Sequence, residues 1–442
     1  MIRKALLACA VTLLLSGGTV FACMQNPEDK PAYTTQEYNA FGAATNEPAA
    51  ASRVKLLDDF VAKYPQSTLL CYIHQSYFVA YNELKNHPKV IEHADKMLEF
   101  GDKFNATQRY QALYFRTVSF LSSFVERNPG QEDKAHKGRA AAREGLKVLA
   151  EVPKPENVTD EQWAQQKKNP TYIFNYTTGI ASIYLKDYPA AVEGFHAALA
   201  MNPNDGVSLY RLGLVYLQMT PPQSLDGFWS LARAINLKVA GEAQVRAYLR
   251  NQMLRYQLTS CEKDLDAQIT ELLGLAAGSA ERPANWKFPS SAELEQVRAK
   301  AAGFLDELKL GDERSRNMWL AVCGLEFPDV AVRVMEKTDT ETGVVLKVAR
   351  AGTLEEMQAM TEPNMEISVA EQPEAQRILV EKETFVRFTG TLSGFQPEPF
   401  LVRWDKAKVH AEDIPEAKPE PAKKAPPKKA PAKKSPTKRP PA

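Results

Sequence analysis

The side chains that could do chemistry are scattered along the chain and follow no catalytic spacing. His87 and His93 lie six positions apart at a helix start, which is not a zinc-ligand spacing, so we expect both at the surface. The sequence contains no glycine-rich phosphate loop, G-x-S-x-G elbow, H-E-x-x-H helix or C-x-x-C pair. Adjacent acids such as Asp58 and Asp59 fit a solvated helix face. The pattern predicts a non-enzyme with no catalytic residue, cofactor or metal site.

Five cysteines limit the chemistry further. Cys9 lies in an apolar N-terminal stretch, and Cys71 lies in a helical apolar pattern that predicts a buried small hydrophobe. The thiols that follow Cys23 are too widely separated to form a disulfide framework. A bridge between Cys261 and Cys323 stays open, without support from the spacing.

The last 22 residues, from Pro421, carry eight basic residues and no acid. The basic residues are mostly lysine pairs repeated every five positions: Lys423, Lys424, Lys428, Lys429, Lys433, Lys434, Lys438 and Arg439. Because lysine, proline and alanine cannot build a core, residues 411–442 are predicted to be a disordered tail. Its charge suits a polyanion such as lipopolysaccharide phosphate, anionic lipid or a cell-wall polymer, and disfavours nucleic acid in an exported protein. A solubilising spacer is the equal alternative.

The net charge of +1 hides two unlike regions. Setting aside the eight tail residues together with Arg3 and Lys4 leaves 45 of the 55 basic residues, against 54 acidic ones. An acidic body therefore carries a basic tail. A length of 442 residues predicts two or three domains, and 44% apolar with 25% charged residues is typical of a soluble globular protein.

The first 22 residues have the composition of an export signal. Arg3 and Lys4 precede an apolar stretch over 5–15 that is too short for a stable membrane span, and small residues follow. We therefore predict a signal peptide over 1–22.

The end of this signal, Val20-Phe21-Ala22-Cys23, resembles a bacterial lipobox. The resemblance implies lipidation of Cys23, a tether over 23–35, and an exported protein anchored in the periplasm by lipid. Met24 in place of aspartate favours the outer membrane. A soluble periplasmic protein cleaved after Ala22, or an uncleaved anchor, are the alternatives.

Residues 36–275 show apolar positions at helical spacing between short turns. Asn86-His87-Pro88 is one such turn, because proline suits the first turn of a helix. The polar stretch 152–170 is predicted to be an irregular inserted loop. Three positions recur at a fixed spacing: Ala191, Phe195 and Ala198 return as Leu225, Trp229 and Ala232, each 34 positions later. A repeat of this length is one helix–turn–helix unit, which buries its apolar face only by stacking on neighbours.

These positions resemble tetratricopeptide repeats. In that family a first helix carries a small residue three positions before an aromatic one, as Ala181 and Tyr184 or Gly213 and Tyr216 do here. The turn from Tyr184 to Ala191 is two residues shorter than the family spacing.

The resemblance implies a superhelix of helical hairpins with a concave groove. The first helix of each hairpin would line that groove, which gives the candidate site: Thr178, Ser182, Leu185, Tyr210, Leu214 and Leu217. The Lys/Asn pattern with which some family members grip a terminal carboxylate is absent, because Tyr210 and Leu214 occupy two of its positions. An apolar or mixed peptide is therefore the expected ligand.

A different pattern follows the helical region. Residues 276–326 are predicted as linker and helices, with Gly274–Ser290 as the linker and Ser290-x-x-Glu293 as a capping box. From 327 to 410 the apolar period changes to two, which predicts a small antiparallel sandwich or barrel. The five alternating runs are Val330/Val332/Val334, Val344/Leu346/Val348, Met365/Ile367/Val369, Val386/Phe388/Gly390/Leu392 and Phe400/Val402/Trp404. An oligonucleotide-binding-type barrel is one candidate.

Together these patterns predict a mainly α protein: a tetratricopeptide-like superhelix, then a small β domain and a disordered tail. The predicted function is a non-catalytic scaffold or adaptor of the cell envelope that binds a peptide or protein in the groove. One alternative is an accessory subunit or enzyme of cell-wall or polysaccharide metabolism. The other is a polyanion-binding adaptor that acts through the tail.

Overall fold

A computed structural model describes residues 33–300, 303–341, 343–369, 372–377 and 380–414. The predicted signal peptide, Cys23 and the basic residues of the tail lie outside the described residues. The chain divides into two compact units. We call Met1–Tyr256 with Leu265–Phe288 the array unit, and Gln257–Asp264 with Pro289–Ala442 the barrel unit.

The described part of the array unit is built of helices joined by short turns. In chain order they are α1 (Thr35–Thr45), α2 (Ala50–Lys63), α3 (Leu70–Glu83), α4 (His87–Leu98), α5 (Ala106–Ser123), α6 (Glu132–Glu151), α7 (Asp160–Tyr184), α8 (Tyr188–Met201), α9 (Gly206–Gln218), α10 (Ser224–Asn236), α11 (Glu242–Gln257) and α12 (Glu262–Gly278). From α1 to α10 each helix packs against the next, and α1, α3, α5 and α7 also touch in that order. This is the neighbour-to-neighbour packing of stacked helical hairpins.

The same turn joins α3 to α4 and α7 to α8. In both, a lysine with positive φ ends the first helix, Lys85 at 56° and Lys186 at 57°. The next residue, Asn86 or Asp187, donates its backbone N–H to a carbonyl five positions earlier and caps the following helix with its side chain. The predicted turn at Asn86-His87-Pro88 is therefore one of two copies.

The long helix α7 differs from the expectation of an irregular loop over 152–170. The helix begins at Asp160 and continues through Pro170. Thr159 and Gln162 form a capping box that fixes its start, and that signal outweighs the proline, which removes one intrahelical hydrogen bond. Residues 152–159 alone remain outside helices.

Glycines set the helix crossings of two successive hairpins. A Cβ on Gly194 of α8 would lie 2.7 Å from the backbone nitrogen of Gly179 on α7. A Cβ on Gly213 of α9 would lie 3.1 Å from the carbonyl oxygen of Gly227 on α10. Gly179 and Gly213 are 34 positions apart. The small residue of the earlier hairpin is thus Gly179 rather than Ala181, and with Gly179 the apparent two-residue shortfall of the turn disappears.

Aromatic side chains fill the space next to these crossings. Phe195 is fully buried and Trp229 is 3% exposed, and both belong to a continuous apolar cluster that extends from α7 to α12. The predicted linker over Gly274–Ser290 begins later than expected, because α12 continues through Gly278 and Phe288 joins the same cluster. Gly274 fits this helix since it faces open space, where a helical glycine costs only about 1 kcal/mol.

The barrel unit begins with short helices and continues as a five-stranded closed barrel. Its helices are α13 (Ser291–Arg298), α14 (Phe304–Lys309), α15 (Glu313–Val322), α16 (Leu354–Ala359) and α17 (Glu374–Arg377). Its strands are β1 (Glu326–Thr340), β2 (Gly343–Ala349), β3 (Met365–Val369), β4 (Phe385–Pro397) and β5 (Phe400–Val409). The strand order is β1-β2-β3-β5-β4, and β1 also pairs with β4.

The β domain is thus a barrel and not a sandwich, and it is not wholly antiparallel. Met365–Ile367 of β3 pair in parallel with Val402–Trp404 of β5, whereas the other pairs are antiparallel. Alternation in the sequence shows which side chains point inward but carries no information on which strands are neighbours. Most inward positions are as predicted, with Phe388 and Trp404 fully buried.

Residues 411–414, placed at the start of the disordered tail by composition, form part of the barrel unit. Ala411–Asp413 make a 3-10 turn, and Arg387 of β4 holds the Asp413 carboxylate at 2.9 Å. This ion pair and the backbone N–H of Arg387 lower the pKa of Asp413. In the described segments, no helix is both long and apolar enough to cross a membrane.

Candidate functional site

The six predicted groove residues differ in exposure. Ser182 is fully buried, and Thr178 is 7% exposed with its hydroxyl donating to the Phe174 carbonyl at 3.0 Å. The Leu217 side chain is half-buried but packs against Gly227 of α10, so it serves the hairpin. The available surface is therefore smaller than predicted and is concentrated on α9. Three half-buried residues of the predicted set remain on it: Leu185, Tyr210 and Leu214.

Tyrosines mark equivalent positions on successive first helices. Tyr176 of α7 and Tyr210 of α9 lie one repeat apart, and both are half-buried. Tyr248 on α11 is also half-buried, and burial raises its pKa. Tyr176, Tyr210 and Tyr248 all pack against the same apolar cluster. We call Tyr176, Tyr210, Leu214 and Tyr248 the tyrosine face. Sequence analysis missed Tyr176 and Tyr248, although Tyr176 could have been found by counting back one repeat from Tyr210.

Neighbouring side chains hold Tyr176 in place. Tyr172 stacks on it with ring centroids 5.7 Å apart, and the Tyr172 hydroxyl donates to an Asp205 carboxylate oxygen at 2.6 Å. Arg211 also interacts with Tyr176, and it forms an ion pair with Glu126. Burial raises the pKa of Tyr176, while the Arg211 guanidinium opposes that shift. The ring is thus fixed and neutral at physiological pH.

A polar contact joins two earlier first helices of the array. The Gln75 side-chain amide of α3 donates to the Gln111 side-chain carbonyl of α5 at 2.9 Å. The same two helices also carry half-buried tyrosines, Tyr81 on α3 and Tyr110 on α5. Half-buried tyrosines therefore occur on first helices along the array.

Two histidines lie together inside the α3–α4 hairpin. The Nδ1 atoms of His74 and His93 are 3.1 Å apart, and the His93 ring stacks on Tyr77 at 4.2 Å. The expectation of a surface His93 is wrong, since it is 7% exposed. Burial lowers the pKa of both histidines to about 4, so the pair is neutral at pH 7 and one ring donates to the other. The two histidines therefore contribute to the packing of the α3–α4 hairpin.

The bridge that the sequence left open is formed: Cys261 and Cys323 make a disulfide across 62 residues. The carboxylate of Asp264 lies beside it, and the ligand atoms of these three residues are within 4.8 Å of one another. Within the described part of the chain, these three residues form the group whose side-chain atoms lie close enough together to hold a metal ion. Because the sulfurs are bonded to each other, they offer no thiolate to a metal in this state.

The barrel has the closed strand order β1-β2-β3-β5-β4. A barrel of the oligonucleotide- and oligosaccharide-binding type would bind its ligand across β2 and β3. Neither β2 nor β3 carries an aromatic residue. Charges near this face are paired, with Lys347 at 2.9 Å from Glu336 and Arg403 at 3.6 Å from Glu366. Base stacking and a free cationic track are what single-stranded nucleic acid requires, so this face does not favour such a ligand.

The chain matches no protein-family model, and no curated protein is similar to it at a significant level.

Proposed function

We propose that the array unit is a tetratricopeptide-type scaffold that binds an extended peptide on the tyrosine face, without catalysing a reaction. The observation that carries the proposal is the repetition of a half-buried tyrosine at one repeat spacing, at Tyr176 and Tyr210. Both rings pack against the apolar cluster of the array unit, as Leu217 does. Part of their surface stays open on successive first helices, where a ligand could contact both.

The packing supports the repeat type. The glycine crossings at Gly179 and Gly213, and the buried aromatics Phe195 and Trp229, each recur at the same spacing of 34 positions. Small residues that let two helices approach, with an aromatic side chain filling the gap, are the features on which the resemblance to tetratricopeptide repeats was based. A curved superhelix with a concave first-helix side is the expected consequence.

The chemistry of the face indicates its ligand. Tyr210 and Leu214 lie one turn apart on α9, so they present a continuous apolar strip with hydroxyl groups at its edge. The Arg211 charge is paired with Glu126, while the exposed Arg255 of α11 opposes the rise in the Tyr248 pKa and is a cation near this face. A peptide of apolar or mixed composition fits best, since fixed tyrosines give large contact area at low entropic cost.

The setting of this activity follows from the sequence signals. We propose an exported protein attached to the outer membrane through a lipid on Cys23, with the basic tail directed to an anionic envelope surface. Stable anchoring needs more than one acyl chain, which a lipoprotein-type modification supplies. Replacement of Cys23 by Ser should abolish palmitate labelling and membrane association; unchanged fractionation of Cys23→Ser would instead identify a soluble periplasmic protein.

A second candidate is an accessory role in polysaccharide metabolism. It is favoured by one observation, the closed five-stranded barrel, because five-stranded barrels of the oligonucleotide-binding type also bind oligosaccharides. In this candidate the array positions an enzyme and the barrel contacts the sugar chain. Binding of cell-wall oligosaccharides to the full chain would favour it, provided that the binding survives changes in the tyrosine face.

Selection of peptide ligands tests the first proposal directly. A displayed library of random peptides, long enough to lie extended across two first helices, is selected on the full chain, and affinities are measured by fluorescence anisotropy. We expect Tyr210→Ala combined with Leu214→Ala to weaken the selected peptides by at least about tenfold. Leu237→Ala, at a 38% exposed position after α10, is the matched control and should change nothing.

Two outcomes would contradict the proposal. Peptides whose affinity is the same in the double variant and in the wild type do not bind at the tyrosine face. Equal weakening by Leu237→Ala would mean that binding responds to general loss of apolar surface. Thermal unfolding of each variant shows that the array is intact when binding is compared.

A further inference from the structure

The last first helix of the array, α11, is basic and ends in an exposed arginine. Arg255 lies in the last turn of α11, and the same helix contains Arg246 and Arg250. Glu242, in the first turn, is the acidic residue of this helix. Three arginines against one glutamate give α11 an excess of positive charge at neutral pH.

Arg255 and Tyr248 lie on the same side of α11. They are seven positions apart in the sequence, which is about two full turns of a helix with 3.6 residues per turn. The Arg255 guanidinium also opposes the rise that burial causes in the pKa of Tyr248. Because Tyr248 belongs to the tyrosine face, this face has a cation next to it at the C-terminal end of α11.

Arginines elsewhere on α9 and α11 have carboxylate partners, and Arg255 differs from them. Arg250 pairs with Asp266 of α12 at 2.8 Å, and Arg211 pairs with Glu126. Arg255 is exposed, and no carboxylate in the described segments pairs with it. A cation that no internal group neutralises, beside an apolar strip, is complementary to a ligand with both apolar and acidic side chains.

We propose that the tyrosine face selects peptides in which an acidic side chain lies beside apolar ones, and that Arg255 pairs with this acid. The apolar side chains of the peptide lie on Tyr210 and Leu214, and its carboxylate lies at the C-terminal end of α11. The inference rests on the proposed function, because it names the chemistry of the peptide that the face binds.

The contribution of Arg255 is to the choice of ligand more than to the strength of binding. An exposed ion pair adds little affinity, because water and salt screen the two charges. A lysine of the peptide at the same place meets a like charge, which is unfavourable. Arg255 is therefore a specificity-determining residue, while Tyr210 and Leu214 provide most of the contact area.

Parallel selections test whether Arg255 chooses the acid. One displayed library of random peptides is selected on the full wild-type chain and on the full chain with Arg255→Glu. We expect acidic residues beside the apolar ones with the wild type, and lysine or arginine in their place with Arg255→Glu. Arg246→Glu is the matched control and should keep the acidic preference. Arg246 is also exposed, but it is nine positions from Arg255, which at about 100° per residue is the opposite side of α11.

A charge cycle measures the pairing itself. One selected peptide is synthesised with both ends blocked, so that its side chains carry its only charges, and a second copy has the acid replaced by its amide. Fluorescence anisotropy gives the Kd of each peptide for the wild type and for Arg255→Gln. We expect removal of either charge to weaken binding about three- to fivefold, and removal of the second charge to add no further loss. The difference should shrink at high salt, because ions screen an exposed pair.

The inference and the proposed function fail in different ways. Peptides that lose affinity with Tyr210→Ala and Leu214→Ala but show no enrichment of acids overturn the inference and leave the proposed function standing. The inference is equally wrong if Arg255→Glu and Arg246→Glu select the same peptides. A selection that yields no binding peptide contradicts both. Matching thermal unfolding of the two arginine variants shows that a change in selected peptides does not arise from altered folding.

Discussion

The contacts within the array unit join elements that are neighbours in the sequence, whereas the contacts within the barrel unit join strands that are far apart in the sequence. In the array each helix packs mainly on its neighbours, whereas the barrel closes through pairing of β1 with β4. Stability of stacked hairpins is close to a sum of neighbouring terms, while a closed barrel forms all of its pairs or none. A destabilising substitution should therefore affect only nearby helices in the array unit, but all strands of the barrel unit.

The largest effect is expected at the centre of the barrel. Trp404 is fully buried and contacts Phe388 and Phe327, so Trp404→Ala should destabilise the barrel unit by about 4–5 kcal/mol. Hydrogen exchange should accelerate in all five strands together. Leu354→Ala, at a 60% exposed site, is the control with an effect within about 0.5 kcal/mol. Faster exchange confined to β5 would contradict cooperative closure.

A comparable cavity in the array should act over a shorter range. Phe195→Ala removes a fully buried ring and should cost about 3–4 kcal/mol, with Trp229→Ala at a similar level. We expect faster hydrogen exchange in α7–α10 and unchanged exchange in α1–α4. Uniform acceleration through all the helices would remove the contrast with the barrel. Unchanged thermal unfolding in both variants would argue against the repeat assignment.

Acid should weaken the array through its buried histidines: burial also lowers the pKa of His87 and of His196, but the His74–His93 pair has the larger shifts. His74 and His93 titrate with a pKa of about 4 in the folded chain because of burial, against 6.5 for an unperturbed histidine. Between these values unfolding takes up protons, so the contribution of the pair is complete above pH 6.5 and is lost as the pH falls toward 4. Urea unfolding at pH 7 and pH 5 measures this loss.

A variant pair sharpens the acid experiment. His74→Gln combined with His93→Gln should show a smaller difference in unfolding free energy between pH 7 and pH 5 than the wild type does. His136, an exposed residue of α6, provides the control His136→Gln, which should retain the wild-type difference. The histidine explanation is wrong if the double variant and the control lose stability equally on acidification.

The smallest changes in unfolding free energy are expected at the turn that joins α7 to α8, which has the same form as the turn between α3 and α4. Asp187→Ala removes the side-chain cap of α8 and the carboxylate that pairs with Arg139 at 2.7 Å, and should cost about 2 kcal/mol. Lys186→Gly should instead stabilise by up to about 1 kcal/mol, because Lys186 has a φ of 57°, which glycine adopts freely. Both free energies follow from urea unfolding. A loss of stability with Lys186→Gly would show that the lysine side chain matters more than its backbone conformation.

Sequence reasoning reached what local periodicity encodes. Helical hairpins, the position of the β domain and most inward-facing strand residues follow from spacing alone, as the burial of Val332, Leu346 and Ile367 shows. The parallel β3–β5 pair and the closed barrel depend on contacts between distant strands, which alternation does not specify. The helix that contains Pro170 was not predicted, because proline is rare inside helices. The capping box of Thr159 and Gln162 was the sequence signal that marks its start.

The candidate sites show the same division. Tyr210 and Leu214 were found from repeat position, while Thr178 and Ser182 were placed on the groove without knowledge of how deeply α7 is packed. The Cys261–Cys323 bridge was an open possibility without support, because 62 residues separate the sulfurs and nothing in their spacing brings them together. Side chains that meet only after folding leave no local signal.

The length of α7 has a consequence for how its backbone moves. The helix has 25 residues, yet its buried positions begin at Pro170, so the first turns extend beyond the packed part. An unsupported helical end frays, while the packed part opens only with the hairpin. The two parts of this one helix therefore open at different rates. We expect a protease to cut α7 within 160–169 before it cuts the packed part of the same helix.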